Sequence, residues 1–251
     1  MSDKQTLYSD SIFYDLVHGD FIAPEVIAFY ENKITQYGSP VLELACGSGA
    51  YLIPLAEKGI ETVGLDISDE MLKRAEEKAI ERNVSLNLQK GDIRNFELNR
   101  KFPLILLLGN SLQHLLTRKD IEKCFASVRK HLTPEGRFIV EVFNPSLKIL
   151  TRSPDENVLD SEYETPEGKY FLTGKVNYDA ATQINRINWI YRNVATKEQR
   201  EFEFTMRQFF PQEFDALLVY NGFKVESKFG NRDGSPFESH SQRQIVVVKL
   251  S

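Results

Sequence analysis

The chain has 251 residues, 27% of them charged, and a formal net charge of −5. It is long enough to bury a large core as one domain or as one domain with an insert. The acidic balance argues against binding a nucleic-acid backbone as the main function. Two cysteines are too few for a disulfide framework, and no apolar run approaches the length of a signal segment or a membrane helix. We therefore expect a cytoplasmic enzyme.

Helical and strand patterns alternate through the first part of the chain. The pattern predicts a short amphipathic helix at 9–18, then helices at 24–36 and 48–58, a helix that Ser68 caps, and a helix at 118–131. Strands are predicted at 40–45, 61–66, 86–89, 104–108 and 137–143. Strands that alternate with helices indicate an α/β fold, with a mostly parallel sheet and helices on both faces.

The hydrophobic period changes to two between about 160 and 210. Alternating apolar and polar residues there predict an antiparallel meander inserted after the fifth strand. The pattern then predicts a helix at 211–220 and two closing strands at 223–229 and 243–250. We therefore divide the chain into a core, 1–159 and 211–251, with an N-terminal helical cap, and a β-insert at 160–210.

A glycine-containing turn follows the first predicted strand. The apolar run 41–44 breaks into the small residues 45–50, and a helical pattern begins directly after them. Gly47 and Gly49 allow the backbone to approach a ligand closely, because no Cβ stands in the way. Asp66 ends the second strand, where its carboxylate can accept both hydroxyls of a ribose. These features predict half of a nucleotide-binding βαβ unit.

Two residues argue against a dinucleotide as the ligand of this turn. The dinucleotide fingerprint requires a glycine where this chain has Leu52. Glu43, two residues before the turn, suits a cationic ligand better than a pyrophosphate. A purely structural strand–helix turn is the alternative for the two glycines, and Asp66 could instead cap the following helix.

Four motifs together resemble the class I S-adenosylmethionine-dependent methyltransferases. The sequence Glu-Leu-Ala-Cys-Gly-Ser-Gly-Ala at 43–50 resembles their motif I, with an alanine in place of the first glycine. Lys-Gly-Asp-Ile at 90–93 resembles the loop that contacts adenine, with Asp92 accepting from its amino group. Residues 109–114 resemble the motif that borders the methyl donor, and Gly222-Phe223 with the last apolar strand also matches.

Two further features, one near the N-terminus and one late in the chain, narrow the resemblance to a subfamily. Tyr8 and Tyr14, together with the late β-insert, are similar to glycine N-methyltransferase and to the amino-sugar N,N-dimethyltransferases. In those enzymes the N-terminal segment folds over the site, and the insert forms a lid or an oligomer contact. A homodimer is therefore one possible assembly. Both tyrosines have a simpler alternative as anchors on the apolar face of a helix.

The resemblance implies a Rossmann-like fold, S-adenosylmethionine as the cofactor, and a defined set of site residues. Catalytic roles fall to His114 and Tyr14, and Ser111 and His114 are expected to bind the substrate. A lone histidine is also often structural. The implied cofactor-binding residues are Tyr14, Glu43, Ala45, Gly47, Gly49, Asp66, Ile67, Met71, Asp92, Ile93, Gly109 and Asn110.

The expected reaction is methyl transfer to nitrogen or oxygen of a small-molecule acceptor. Because the methyl group of this cofactor is already activated, the protein has to align donor and acceptor and exclude water. A hydroxyl acceptor would require a base, for which His114 is the candidate visible in the sequence. No metal-ligand spacing is present, which disfavours a metal-dependent enzyme. The alternatives are a methyltransferase acting on a tRNA base and a catalytically silent protein that binds S-adenosylmethionine. We expect neither nucleic acid nor membrane as a partner.

Overall fold

A computed structural model of the protein describes residues 7–18, 22–157 and 159–251. The first six residues of the predicted N-terminal cap lie outside this described part. Short 3₁₀ helices span Leu7–Ser9 and Ser111–His114. The α-helices are α1 Ser11–His18, α2 Pro24–Tyr37, α3 Leu52–Glu57, α4 Asp69–Glu81, α5 Arg118–His131, α6 Leu147–Leu150 and α7 Pro211–Tyr220. The strands are β1 Val41–Leu44, β2 Thr62–Asp66, β3 Asn87–Lys90, β4 Phe102–Leu107, β5 Leu132–Phe143, β6 Leu159–Thr165, β7 Gly168–Asp179, β8 Ile184–Asn193, β9 Gln199–Arg207, β10 Phe223–Phe229 and β11 Arg243–Leu250.

A seven-stranded sheet in the order β10-β11-β5-β4-β1-β2-β3 forms the core. Strands β1 to β5 pair in parallel, whereas β11 pairs antiparallel with both β5 and β10. The strand order reverses between β1 and β4, so the carboxyl ends of these neighbours open a crevice. This architecture confirms the predicted α/β fold. Within the described residues, no helix is both long and apolar enough to cross a membrane.

Strand β5 begins earlier than the sequence pattern predicts. The predicted start at 137, after the Pro134–Gly136 turn, is wrong, since the strand already begins at Leu132. Leu132 is fully buried and pairs with Phe102, and the register then shifts so that Leu104 pairs with Arg137. Burial of Leu132 therefore recruits the segment before the turn into the sheet, and the turn residues form an irregularity inside the strand.

A separate four-stranded antiparallel sheet, β6-β7-β8-β9, occupies the segment predicted as an insert. One face of this sheet packs on α1, whose Phe13 ring lies 5.2 Å from Tyr191 and 5.6 Å from Phe202, centroid to centroid. These rings belong to a buried cluster formed by α1 and the insert alone. Its members are Phe13, Val17, Tyr170, Leu172, Tyr191 and Phe202. Helix α1 is therefore part of the insert's hydrophobic core.

Leu52 occupies the position of the missing third glycine, and Gly64 on β2 compensates for it. A Cβ added to Gly64 would lie 2.4 Å from Leu52 Cδ1, 2.9 Å from Cys46 Sγ and 2.9 Å from a methyl carbon of Leu88. The third glycine of the dinucleotide fingerprint serves close helix–strand packing. In this protein the glycine lies on the strand and the side chain on the helix, so α3 still packs closely against the sheet.

Replacement of this glycine tests the packing. Gly64→Ala should lower the free energy of unfolding by about 1–3 kcal/mol, because the added methyl overpacks a filled core. Leu52→Ala removes the closest of these contacts, so the double variant should lose less stability than the two single variants summed. Urea unfolding of all four proteins measures the coupling. Additive losses would show that Leu52 and Gly64 do not compete for the same space.

Candidate active site

A cavity of about 380 Å³ opens at the carboxyl ends of β1, β2 and β4. Ten of the twelve residues predicted to bind the cofactor line it, as do the predicted substrate residues Ser111 and His114. Gly49 and Asn110 are the two that do not line it. A Cβ on Gly49 would lie 3.3 Å from Ala75 and from Ile53, so this glycine serves packing behind the turn.

The backbone of the glycine turn leaves open space on the side of the cavity. Ala45, Gly47 and Gly49 all adopt positive φ angles, at 54°, 54° and 79°. A Cβ on Gly47 would meet no atom within 4 Å, so its requirement for glycine comes from the backbone conformation. The turn therefore presents bare backbone to a ligand. Asn110 also has a positive φ, 65°, and its buried Oδ1 has no hydrogen-bond partner in the described part of the chain.

Asp66 connects the turn to the loop that follows β2. The Gly47 N–H donates to Asp66 Oδ2 and the Ser68 N–H donates to Oδ1, each over 2.8 Å. Burial raises the pKa of Asp66, and these backbone hydrogen bonds oppose the rise. Because a carboxylate has about four lone-pair sites, Asp66 can still accept further hydrogen bonds from a ligand in the cavity. Ser68 caps α4 as predicted, accepting from the Met71 N–H.

Glu43 is a buried acid that faces the cavity. Only 3% of the residue is exposed, and its Oε2 has no hydrogen-bond partner within the described residues. Burial, reinforced by the nearby charge of Asp66, raises the pKa of Glu43 well above its usual value. Since a buried acceptor without a partner is costly, this oxygen is suited to receive a donor group from a ligand.

Asp92 lines the cavity, but its carboxylate is largely engaged by the chain itself. The Arg94 Nε lies 2.9 Å from both carboxylate oxygens, and the Arg94 N–H donates to Oδ1 over 2.9 Å. These hydrogen bonds lower the pKa of Asp92. The guanidinium was not recognised in the sequence as part of the site. It leaves Asp92 less acceptor capacity than we expected.

His114 pairs with a tyrosine from the N-terminal segment at the mouth of the cavity. The Tyr8 hydroxyl lies 2.7 Å from His114 Nε2, and the ring of Tyr14 lies 5.7 Å from that of Tyr8. Burial lowers the pKa of His114, and a hydrogen bond with the backbone of Thr205 partly offsets this. Burial raises the pKa of Tyr8, so Tyr8 keeps its proton while His114 is neutral at pH 7. The structure thus brings both predicted catalytic residues to the cavity, together with Tyr8.

A buried ion-pair cluster fixes α1 beside the glycine turn. Asp15 accepts from Ser48 Oγ at 2.5 Å, from Arg74 Nε at 2.8 Å and from Lys78 Nζ at 3.2 Å. Lys78 and Asp15 are 3% and 6% exposed, so this pair is shielded from water. Tyr14 is the residue before Asp15, and the cluster therefore positions it at the cavity. No sequence pattern indicates this cluster, since its members come from three distant segments.

Comparisons with known proteins agree with this geometry. A model of the methyltransferase domain matches residues 41–136. The putative methyltransferase YqeM of Bacillus subtilis is 30% identical over 212 residues, which cover 84% of each chain. A dTDP-3-amino-3,4,6-trideoxy-alpha-D-glucopyranose N,N-dimethyltransferase of Streptomyces venezuelae is 33% identical over 115 residues, 46% of this chain and 47% of the relative.

The chain belongs to the class I S-adenosylmethionine-dependent methyltransferase family. A crystal structure of an S-adenosylmethionine-dependent methyltransferase from Clostridium acetobutylicum has the same fold, with a TM-score of 0.79 and 23% identity over 96% of both chains. The predicted family, enzyme class and cofactor are confirmed. The individual cofactor and catalytic contacts stay predictions.

The residues of the cavity fit S-adenosylmethionine. The unpartnered Glu43 oxygen is placed to accept from an ammonium group, and Asp66 retains capacity for ribose hydroxyls. Ile67 lines the cavity although it is 62% exposed, and with Met71 and Ile93 it provides an apolar wall for a base. Among the described residues, no group of three or more His, Cys, Asp or Glu is arranged to hold a metal ion.

Removal of the Asp66 carboxylate should weaken cofactor binding. We expect Asp66→Ala to reduce the affinity for S-adenosylhomocysteine by about 1.5–3 kcal/mol, because charge-assisted hydrogen bonds are lost. Calorimetry measures the change. Asp69→Ala is the matched control, since this carboxyl is exposed and pairs with Lys90. Asp92→Asn should lose less affinity for S-adenosylhomocysteine than Asp66→Ala, because Arg94 already engages the Asp92 carboxylate. Unchanged affinity in Asp66→Ala would contradict the assignment.

Removal of the Asp15 charge should destabilise the protein. Asp15→Asn removes the buried carboxylate charge that Lys78 and Arg74 share, which should cost about 3–5 kcal/mol of unfolding free energy. The double variant with Lys78→Met should recover much of this loss. As a control, Asp10→Asn removes the partly exposed pair with Arg200 and should cost less than about 1 kcal/mol. Chemical denaturation measures all three. Equal losses for Asp15→Asn and Asp10→Asn would refute the buried cluster.

Proposed function

We propose that the protein methylates an amine nitrogen of a small-molecule acceptor. The observation that carries this proposal is the position of the Tyr8–His114 pair. Both residues line the donor cavity, and both also line a second groove of about 880 Å³ against the β-insert. An acceptor in that groove would present its reacting atom to the donor's methyl group beside this pair.

The second groove has mixed charge. Lys175 and Arg186 line it together with Glu201 and Glu203, and Asn188 Nδ2 lies 2.5 Å from Glu201 Oε1 and 3.3 Å from Glu203 Oε1. A nucleic-acid site would instead concentrate basic residues along one surface. The mixture favours a small polar acceptor over a tRNA base, which we keep as the alternative.

Nitrogen is favoured over oxygen as the methylated atom. The relative from Streptomyces venezuelae is an N,N-dimethyltransferase of an amino sugar. The lowered pKa of His114, caused by burial, makes its imidazole a weak base. An amine requires little base assistance, whereas a hydroxyl requires more. We therefore assign an amine as the acceptor.

The residues of the site would align the methyl donor with the acceptor and would accept one proton from the acceptor nitrogen. The cofactor supplies a methyl group already activated by its sulfonium. Glu43 and Asp66 would hold the cofactor in the cavity, with the acceptor nitrogen beside Tyr8 and His114. The nitrogen can release its proton to the Tyr8 hydroxyl, which in turn passes its own proton to His114 Nε2. Tyr8 and Tyr14 line the cavity and shield it from water.

A screen with labelled methyl donor tests the proposal. Purified protein is incubated with methyl-labelled S-adenosylmethionine and with matched amine and hydroxyl panels of amino sugars, amino acids and sugars. We expect label transfer to an amine together with formation of S-adenosylhomocysteine. Transfer to hydroxyls alone would refute nitrogen methylation. Transfer to tRNA but to no small molecule would establish the alternative.

A variant of the histidine separates nitrogen from oxygen chemistry. With an amine acceptor, His114→Ala should lose little of its rate at high pH, where the amine has already lost its proton. With a hydroxyl acceptor the same variant should lose roughly a hundredfold or more at every pH. Methylation rates between pH 6 and 10 measure the difference. His240→Ala is the control, because the side chain of His240 is 86% exposed. A hundredfold loss at high pH would contradict an amine acceptor.

We also propose roles for the two parts of the chain. The core, 1–159 and 211–251, would carry the donor site, and the insert 160–210 would act as a lid or as an oligomer contact. The packing of Phe13 within the insert's core supports the role as a lid. A cytoplasmic location and a homodimer belong to the same proposal. Size-exclusion chromatography with light scattering tests the dimer.

A further inference from the structure

A second buried charge cluster lies behind the wall of the donor cavity and is not used by the proposed chemistry. At its centre is Glu141 on β5, which is fully buried. Arg232, in the loop between β10 and β11, donates to both of its carboxylate oxygens over 2.9 and 2.7 Å. Arg243 donates to Oε1 over 2.7 Å, and the Tyr30 hydroxyl donates to Oε2 over 3.1 Å.

The cluster carries one positive charge in excess, since two guanidinium groups share one carboxylate. Their side chains are only 21% and 23% exposed. Arg232 uses Nε and NH2 on Glu141, and among the described residues its NH1 makes no hydrogen bond. A largely buried cation without full compensation is costly unless an anion joins it. Burial alone would raise the pKa of Glu141, but hydrogen bonds from Arg232 and the charges of both arginines hold it below its usual value.

Arg232 is close to the part of the cavity that contains Glu43. Its guanidinium carbon lies 5.8 Å from the ring centroid of Tyr51, and Tyr51 lines the cavity. Burial raises the pKa of the Tyr51 hydroxyl, and the charges of Arg232 and of Glu43 also act on this group. The charge of Arg232 also acts on Tyr14, which lines the cavity. Arg232 does not itself line the cavity; it lies behind the ring of Tyr51, which lines the cavity together with Glu43.

We propose that Arg232 binds the carboxylate of the cofactor's amino-acid end, beside Glu43, which accepts from its ammonium group. An α-amino acid carries an ammonium and a carboxylate on one carbon, so an unpartnered acceptor oxygen in the cavity lining and a cation behind the Tyr51 ring match it. Glu141 acts as a positioning residue because it holds the guanidinium fork in place. Arg243 neutralises Glu141 in part and leaves Arg232 available to the ligand. This inference rests on the proposed binding of the donor in this cavity.

The test compares two ligands that differ only in the carboxylate. Calorimetry measures the dissociation constants of S-adenosylhomocysteine and of its decarboxylated analogue. We expect wild-type protein to bind the acid at least tenfold more tightly. Arg232→Met should lose about tenfold for the acid, which is close to 1.4 kcal/mol, and should bind the decarboxylated ligand as the wild type does. The preference for the carboxylate would therefore disappear in the variant.

Two further variants keep the test decisive. Arg243→Met removes a charge from the same cluster but should retain the preference for the acid, because Arg232 stays in place. Arg232→Lys keeps the charge without the planar fork and should lose part of the preference. If thermal melting shows that Arg232→Met does not fold, the ligand preference of Arg232→Lys tests the proposal instead.

Three results would overturn the inference. They are equal losses for both ligands in the Arg232 variants, an unchanged preference for the acid, and the absence of any preference in the wild-type protein. Failure of wild-type protein to bind S-adenosylhomocysteine at all would instead contradict the donor site itself. The two proposals thus fail in different ways.

Discussion

The donor site depends on the way one carboxylate holds the glycine turn. Asp66 ends β2, and its two oxygens accept from the backbone of Gly47 and of Ser68. The same side chain therefore fixes the turn after β1 and the start of α4, which are the two backbone segments a nucleoside would touch. Parallel pairing of β1 with β2 brings their carboxyl ends together, so a single acid can reach both loops. This tie helps to hold a turn in which Ala45, Gly47 and Gly49 have positive φ angles.

Much of the core could be predicted from the sequence because its signals are local. Helices α5 and α7 and strands β10 and β11 have their predicted bounds, since hydrophobic periodicity and capping residues mark them directly. The start of β5 could not be predicted, because Leu132 joins the sheet only through its pairing with Phe102. Leu52 was read as evidence against a dinucleotide. Its compensation by Gly64 becomes visible only when α3 lies on β2.

Some residues of the candidate site could also be predicted from the sequence, and others could not. Glu43, Gly47 and Asp66 lie next to strand ends that periodicity locates, and motifs in the sequence identify them. Arg94, Asp15 and Arg232 could not be found in this way, because only the fold shows which side chains they pair with. Arg94 lies two residues from Asp92, yet nothing in the sequence indicates that its guanidinium folds back onto that carboxylate. Charged side chains on loops carry no periodicity, so sequence patterns do not separate them from solvated surface.

Helix α1 links the two halves of the site mechanically. Its apolar face belongs to the core of the insert through Phe13, while Asp15 is held at the glycine turn by Ser48 and Lys78. Tyr14 lies between these two attachments and lines the donor cavity. A displacement of the insert would therefore move α1, and displacement of α1 would expose Lys78 and open the wall beside the turn. Because the buried ion pair resists that exposure, a closed donor cavity and a seated insert favour each other. If the groove against the insert holds the acceptor as proposed, it would be complete only when the donor side is closed, and water would be excluded before the methyl group is transferred.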